Sequence, residues 1–245
     1  MKNNSYTFVL VHGAWHDGSL WAPVAESLRI QGHEVHTPTV IGHTRNGSRD
    51  YCHADGVRSI VNYILNNDLK DFVLVAHSFG GSVISRVAEE VPDRIRRLVY
   101  WNAFVLKDGE SISDVSPPHY NELMTRMSAE RGDDCFMLPF PIWRNNFIGD
   151  GSLELAESTY RKLCPEPMRM LMDKVPLKTF HELAIPKTYL NAMADIAMPP
   201  GEYAWYPRFA ERLPGCRVIF MPGSHQVMFT NPALLAEKIW EAGRD

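Results

Sequence analysis

Runs of apolar, strand-forming residues alternate with segments of helical periodicity along most of this 245-residue chain. A near-continuous apolar run is typical of a strand covered on both faces, and strands that alternate with helices favour a mostly parallel sheet with helices on both sides. The sequence therefore predicts an α/β fold. The predicted strands are residues 6–12, 34–37, 72–76, 97–103, 186–192 and 217–221, and the predicted helices are residues 20–30, 55–65, 80–91, 203–213 and 233–240.

One long segment interrupts this alternation. Residues 107–183 contain no apolar strand-forming run and are rich in methionine, proline and aromatic residues. The segment lies between two predicted sheet strands, and open α/β sheets bind their ligands at the carboxyl edge of the strands. We therefore expect a core of residues 1–106 and 184–245, with residues 107–183 as a helical insertion that covers this edge as a cap. Additional core packing is the alternative.

Composition excludes several classes of protein. The formal net charge is −4 and no basic patch is present, which disfavours nucleic acid as a partner. The longest apolar run is far shorter than the ~20 residues that a membrane-spanning helix needs. The first residues show no apolar signal segment, so we expect a cytoplasmic protein. Four scattered cysteines without a CxxC pair predict free thiols rather than a zinc site or a disulfide framework: Cys52, Cys135, Cys164 and Cys216.

The sequence LVAHSFGG (residues 74–81) places a serine where a predicted strand turns directly into a predicted helix. Such a turn exposes the serine hydroxyl, and it directs the next N–H group and the helix N-terminus towards a developing oxyanion. The turn is crowded and needs small flanking residues. Ala76 and Gly80 meet this need, although Ala76 departs from the usual G-x-S-x-G pattern. We predict that Ser78 is a nucleophile, with a purely structural serine as the alternative.

A serine nucleophile needs a base and a group that orients the base. His225 follows the last predicted strand, and Asp195 follows the preceding one, so both reach the sheet edge that carries Ser78. The chain order Ser78, Asp195, His225 is that of a hydrolytic triad on a parallel sheet. Asp173, inside the insertion, and Asn102, which cannot carry the charge, are weaker candidates for the acid. Other histidines are interpreted as surface or loop residues: His33, His36, His43, His53 and His181.

Backbone N–H donors for an oxyanion should come from the turns after two strands. Gly13 lets the backbone approach closely, so we predict that the N–H groups of Ala14 and Phe79 form the oxyanion hole. His12 is interpreted as a hydrogen-bonding residue of this loop. Nearby aromatic residues indicate an apolar substrate, with packing inside the insertion or a dimer interface as alternatives. The predicted substrate contacts are Trp15, His77, Phe136, Phe140, Trp143 and Phe147.

Three segments resemble the α/β-hydrolase superfamily, and more narrowly its small esterase and hydroxynitrile-lyase group, which includes plant methylesterases. They are HGAWHDGSLW (residues 12–21), AHSFGG (residues 76–81) and GSHQVMFTNP (residues 223–232). The resemblance implies that Ser78, Asp195 and His225 form the triad. It also implies that the protein uses no cofactor and no metal.

The resemblance leaves the reaction open, because one fold carries many chemistries. Lyases of this group carry a threonine at the position of Gly13 and a lysine at the position of Gln226, so this chain favours hydrolysis. A cofactor-independent dioxygenase and a non-catalytic receptor for a small ligand stay as alternatives. We expect a serine hydrolase that cleaves a carboxylic ester, or an amide or carbamate, of a small apolar or aromatic molecule. The sequence leaves open whether the protein forms a homodimer.

Overall fold

The computed structural model describes residues 5–245. Its centre is a six-stranded sheet in which every neighbouring pair of strands is parallel. The described residues contain eight strands, of which β5 and β6 form a separate pair: β1 (Thr7–Val11), β2 (Glu34–His36), β3 (Phe72–Ser78), β4 (Ile95–Ala103), β5 (Cys135–Phe136), β6 (Glu166–Pro167), β7 (Lys187–Ala192) and β8 (Arg217–Met221). The sheet order β2-β1-β3-β4-β7-β8 contains all six predicted strands, so the predicted α/β class is confirmed.

Helices flank this sheet, with α1 packed against α10 and α2 packed against α3. Four of the five predicted helices are present, as α1, α2, α3 and α10. The helices are α1 (Ala22–Ile30), α2 (His53–Asn66), α3 (Gly80–Glu90), α4 (Ile112–Val115), α5 (Pro118–Arg131), α6 (Phe140–Ile142), α7 (Leu153–Tyr160), α8 (Met168–Met172), α9 (Val227–Thr230) and α10 (Pro232–Gly243). In the part of the chain that the structure covers, none of them has the length and apolar character to cross a membrane.

The predicted helix over residues 203–213 is wrong. The structure has a loop there, with a single 3-10 turn at Ala210–Arg212. Pro207 lies in the middle of this segment, where it removes a helical N–H donor and restricts the backbone of Tyr206. The loop instead carries Trp205 into the core, where the residue is 3% exposed.

Several buried polar residues also differ from expectation. His33 and His43 lie in loops, in line with the prediction of surface or loop residues, but both are buried, and His53 is a buried residue at the start of α2. His53 Nε2 lies 2.9 Å from Ser82 Oγ, and His43 pairs with a carboxylate of the insertion. Buried polar groups need such partners, and no local sequence pattern reveals a partner that is distant in the chain.

The segment between β4 and β7 contains α4 to α8 and is mostly helical, but it also holds one short antiparallel pair. β5 pairs with β6, and Phe136 lies opposite Glu166. The sequence did not predict this pair, because two-residue strands show no alternation. The proposed insertion boundaries at residues 107 and 183 both fall in loops.

Candidate active site

Ser78 is the last residue of β3, and α3 begins two residues later. Its backbone φ is +53°, a left-handed conformation that a residue with a side chain adopts only where the surroundings impose it. A side chain at Gly80 would place a Cβ 2.7 Å from the His12 carbonyl oxygen. At Gly13 it would place one 3.2 Å from the Ser78 Cβ. The turn is therefore tight on both sides, which explains the glycines around the serine.

Asp195 and His225 form a buried pair at the same edge of the sheet. His225 Nδ1 lies 2.6 Å from Asp195 Oδ2, and the two side chains are 2% and 0% exposed. Asp195 Oδ2 also accepts a hydrogen bond from Asn102 Nδ2 at 2.6 Å, and Oδ1 accepts one from the Ala197 N–H at 2.9 Å. The carboxylate is thus held by three donors and faces the imidazole in a fixed orientation.

The His225 ring is held between aromatic neighbours. Trp205 stacks on it with ring centroids 5.4 Å apart, and Phe147 meets it edge-on at 5.1 Å. A carboxylate can only accept a hydrogen bond, so Nδ1 carries the proton and Nε2 is free to accept one. Ser78 and His225 line the same cavity. Within residues 5–245 no hydrogen bond joins their side chains. In enzymes without bound substrate, catalytic hydrogen bonds are often long, so this geometry is compatible with the predicted pair.

Two residues that line this cavity next to the serine carry the predicted oxyanion donors. Ala14 and Phe79 both lie on its wall. Neither N–H group donates a hydrogen bond to another residue of the described chain. The Phe79 N–H also lies at the N-terminus of α3, where the helix dipole favours negative charge. The arrangement can therefore accept an oxyanion formed beside Ser78.

The cavity is lined by the core on one side and by the insertion on the other. Its walls are almost entirely apolar, and a second apolar cavity adjoins it through shared residues. The shared wall consists of Trp15, Tyr120, Met124 and Phe147. The first cavity is further lined by Phe104, Ile112, Ser116, Leu171, Ala197, Met198 and Trp205, and the second by Leu123, Met127, Phe136, Leu138, Pro139 and Ile142.

The predicted substrate contacts divide into two groups. Trp15, Phe136 and Phe147 line the cavities, whereas His77, Phe140 and Trp143 line neither. His77 precedes Ser78 in the strand, so its side chain lies on the opposite face, stacked 4.0 Å from Trp101. The other two pack inside the insertion: Trp143 donates through Nε1 to the Ala156 carbonyl, and Phe140 packs on Tyr160.

Sequence reasoning missed several of the lining residues. Tyr120, Met124 and Met127 face the cavities from α5. Their spacing of four and three residues is a helical stripe, and this signal was present in the sequence. Trp205 was missed because it lies in the segment that the sequence predicted to be a helix. Asn102 was considered only as a weak candidate for the acid, and no local pattern reveals its bond to Asp195, which is 93 residues away.

Other histidines near the site are neutral at pH 7. Burial lowers the pKa of His77 and of His12 well below the ordinary value, and it lowers the pKa of His16 to about 4. His12 holds the first loop as predicted, since its Nε2 accepts the Val40 N–H at 3.0 Å. Across residues 5–245 no group of three or more His, Cys, Asp or Glu side chains is arranged to hold a metal ion.

This fold and this edge of the sheet define an α/β hydrolase. The model of the alpha/beta hydrolase family matches residues 8–238, and the chain therefore belongs to that family. It is a hydrolase, as predicted.

Similarity to individual proteins shows which part of this family the chain resembles most. The chain is 31% identical to the carbendazim hydrolyzing esterase of Nocardioides sp., over 96% of this chain and 99% of that protein. It is 32% identical to Methylesterase 4 of Arabidopsis thaliana, over 96% and 97%. A solved extracellular alpha/beta-hydrolase from a Paenibacillus species is 40% identical, with a TM-score of 0.95 over 98% of this chain and 100% of that one. That protein is described as sharing structural and functional homology with tobacco Salicylic Acid Binding Protein 2. The predicted methylesterase-like group is confirmed.

Proposed function

We propose that this chain is a serine esterase that hydrolyses carboxylic esters of small, largely apolar or aromatic molecules. One observation carries the proposal: the buried Asp195–His225 pair, joined at 2.6 Å, opens onto the same cavity as Ser78 and the two unpaired N–H groups. The names of the Nocardioides and Arabidopsis relatives, both esterases, support the same reaction.

In the proposed mechanism the Ser78 hydroxyl attacks the ester carbonyl while His225 Nε2 takes its proton. Asp195 holds the imidazole through Nδ1 and balances the imidazolium charge. The N–H groups of Ala14 and Phe79 bind the oxyanion of the tetrahedral intermediate. His225 then protonates the departing alcohol, which leaves an acyl group on Ser78. Water, deprotonated by His225, attacks this acyl-enzyme, and the carboxylic acid is released.

The proposed substrate class follows from the cavity walls. They offer carbon surface and few free polar groups, since the Tyr120 hydroxyl already donates to the Ala197 carbonyl at 3.1 Å. An uncharged ester with two apolar parts fits two adjoining apolar cavities. We propose that residues 107–183 act as the cap that shapes this space, because Phe147 and Met124 come from that segment.

Hydrolysis is favoured over cyanohydrin cleavage by the surroundings of Gln226. This residue is buried, and its Oε1 lies 3.2 Å from His16 Nε2. No cation occupies the position where the lyases of the group carry a lysine. Hydrolysis of an amide or a carbamate also belongs to the proposed chemistry, because it passes through the same kind of tetrahedral intermediate.

The experiment that tests the proposal is incubation with p-nitrophenyl acetate and butyrate, with and without a fluorophosphonate probe. A burst of nitrophenol and labelling of Ser78 are expected, and Ser78→Ala should abolish both, because the acyl-enzyme cannot form. Ser85→Ala is the matched control: it removes a buried hydroxyl of α3 that bonds the Gly81 carbonyl, and it should keep turnover. Tight binding of an apolar molecule without turnover or labelling would favour a receptor instead.

We also infer a cytoplasmic location from the cysteines, all four of which are free. The Paenibacillus neighbour is extracellular, so the location needs its own test. Immunoblotting of separated cell and medium fractions of a producing organism decides it. Light scattering during size-exclusion chromatography decides between a monomer and a homodimer.

A further inference from the structure

Glu166 is a fully buried carboxylate outside the proposed triad. It lies in β6 of the insertion, and its side chain is 0% exposed. Oε2 accepts two hydrogen bonds, from the Trp15 N–H at 2.8 Å and from His43 Nε2 at 2.9 Å, while Oε1 has no partner. Burying an ionised carboxylate is costly unless it is paired. Its partners therefore indicate what the residue does.

Trp15 directly follows Ala14, one of the two proposed oxyanion donors. Its φ is +62°, a left-handed conformation that a bulky residue rarely adopts. The insertion holds both polar groups of its backbone: Glu166 accepts from the N–H, and the Cys164 N–H donates to the carbonyl at 2.8 Å. The unusual conformation is thus imposed from outside the loop.

The carbonyl groups of the two peptide units that flank the Ala14 Cα are held as well, by two histidines of the loop itself. His12 Nδ1 lies 2.9 Å from the Gly13 carbonyl oxygen, and His16 Nδ1 lies 2.6 Å from the Ala14 carbonyl oxygen. In a trans peptide the N–H points opposite to the carbonyl of the preceding residue. Holding the Gly13 carbonyl therefore directs the Ala14 N–H the other way. Glu166 holds the next peptide unit, between Ala14 and Trp15, through the Trp15 N–H, and this contact keeps the Ala14 N–H from turning away.

We propose that Glu166 is a positioning residue for the oxyanion hole, which holds the Trp15 N–H from the insertion and so fixes the direction of the Ala14 N–H. The inference rests on the proposed esterase function. It makes the insertion a structural part of the catalytic loop. His43 completes the arrangement: burial acts against its charged form, but the neighbouring Glu166 prevails and raises its pKa.

Two substitutions separate the hydrogen bond from the charge. Glu166→Gln keeps the length of the side chain and an acceptor oxygen, whereas Glu166→Asp keeps the charge but withdraws the carboxylate by one methylene. Loss of a whole oxyanion donor costs about 100- to 1,000-fold in kcat. We expect a misdirected donor in Glu166→Asp to lower kcat by roughly tenfold or more with little change in KM, and Glu166→Gln to stay within a few-fold of wild type.

The inhibition constant of a transition-state analogue distinguishes the proposed role from a merely structural one, which would leave that constant unchanged. A trifluoromethyl ketone adds to the serine and places an oxyanion in the hole, so its inhibition constant should rise in Glu166→Asp in parallel with the loss of kcat/KM. A ground-state competitive inhibitor should keep its affinity. Thr159→Val is the matched control, since it removes a buried hydroxyl of the insertion that bonds the Leu155 carbonyl, and it should change neither constant.

Wild-type kcat and ketone affinity in Glu166→Asp would overturn the inference. If wild-type protein neither turns over the esters nor reacts with the fluorophosphonate, the proposed function itself fails, and this role with it. Hydrogen exchange of the folded wild-type protein needs no variant: the Trp15 amide should be as protected as the amides of β3. Exchange at the rate of an exposed loop would contradict the inference even if Glu166→Asp does not fold.

Discussion

Asn102 donates a hydrogen bond to the same oxygen of Asp195 that faces His225, at a distance of 2.6 Å. Its own Oδ1 accepts the Ala192 N–H at 2.6 Å, and its backbone φ is +36°. Asn102, which cannot carry a negative charge, thus holds the proposed acid in place. It links the end of β4 to the loop after β7 and orients the proposed acid.

Asn102→Ala is therefore expected to lower kcat by about 10- to 100-fold with little change in KM, since hydrogen bonds to charged groups contribute roughly 1.5–3 kcal/mol. Asn102→Asp places a second carboxylate beside Asp195. Like charges raise the pKa of such a pair. The acidic limb of the pH profile of kcat/KM should then move to higher pH. A profile identical to wild type in both variants would contradict the proposed role of Asn102.

Asp195→Asn should lower kcat by about 10⁴-fold while substrate binding persists, because the wrong tautomer of His225 is then stabilised. Steady-state kinetics with p-nitrophenyl butyrate measures the effect. Asp173→Asn is the matched control: this aspartate lies in the insertion, 3.7 Å from Arg169, and its side chain is one-third exposed. If Asp173→Asn proves inactive and Asp195→Asn active, the acid has been assigned wrongly.

Met124→Trp tests the apolar cavities. Met124 lies on the wall shared by both, so a larger ring there should reduce the space for the substrate. We expect kcat/KM to fall more for p-nitrophenyl butyrate than for the acetate, by about tenfold if one to two buried methylenes lose their contacts. Glu122→Gln, an exposed position of the same helix α5, serves as the control. An equal loss of kcat/KM for both esters would show that Met124 does not contact the acyl chain and that other residues determine the preference for acyl length.

Stability should fall in mild acid because of buried neutral histidines. Burial lowers the pKa of both His16 and His53 to about 4, whereas histidines of an unfolded chain titrate near pH 6.5. Below pH 6.5 the unfolded state therefore binds more protons, so the free energy of unfolding decreases towards pH 4. Each group accounts for roughly 3 kcal/mol at the limit. His43 acts oppositely: with a raised pKa, its contribution is present below pH 6.5 and is lost as the pH rises.

Urea unfolding at several pH values between 7 and 4.5 measures this dependence. His53→Gln removes one buried ring and should flatten the curve, whereas His181→Gln, at an exposed position, should leave it unchanged. If the slope of His53→Gln equals that of wild type, His53 does not take up its proton on unfolding.

The sequence predicted those features whose signal lies within a few neighbouring residues. The β-run that ends at Ser78, and the strands that precede Asp195 and His225, each show their type within a few residues, and their order then brings the three to one edge. Glu166 left no such trace: its partner Trp15 is 151 residues away, and its flanking strand is two residues long. Trp205 was missed for another reason: the 30 residues from Asp195 to His225 left room for a helix, but Pro207 favours a loop there.

The contact between Glu166 and Trp15 also limits how this enzyme can be re-engineered. Exchange of residues 107–183 between relatives is an obvious way to change substrate preference. A transplanted segment that lacks an acceptor at the position of Glu166 would leave the Trp15 N–H buried without a partner. Chimeras should therefore exchange the loop of residues 12–16 together with the insertion, as one transferable module.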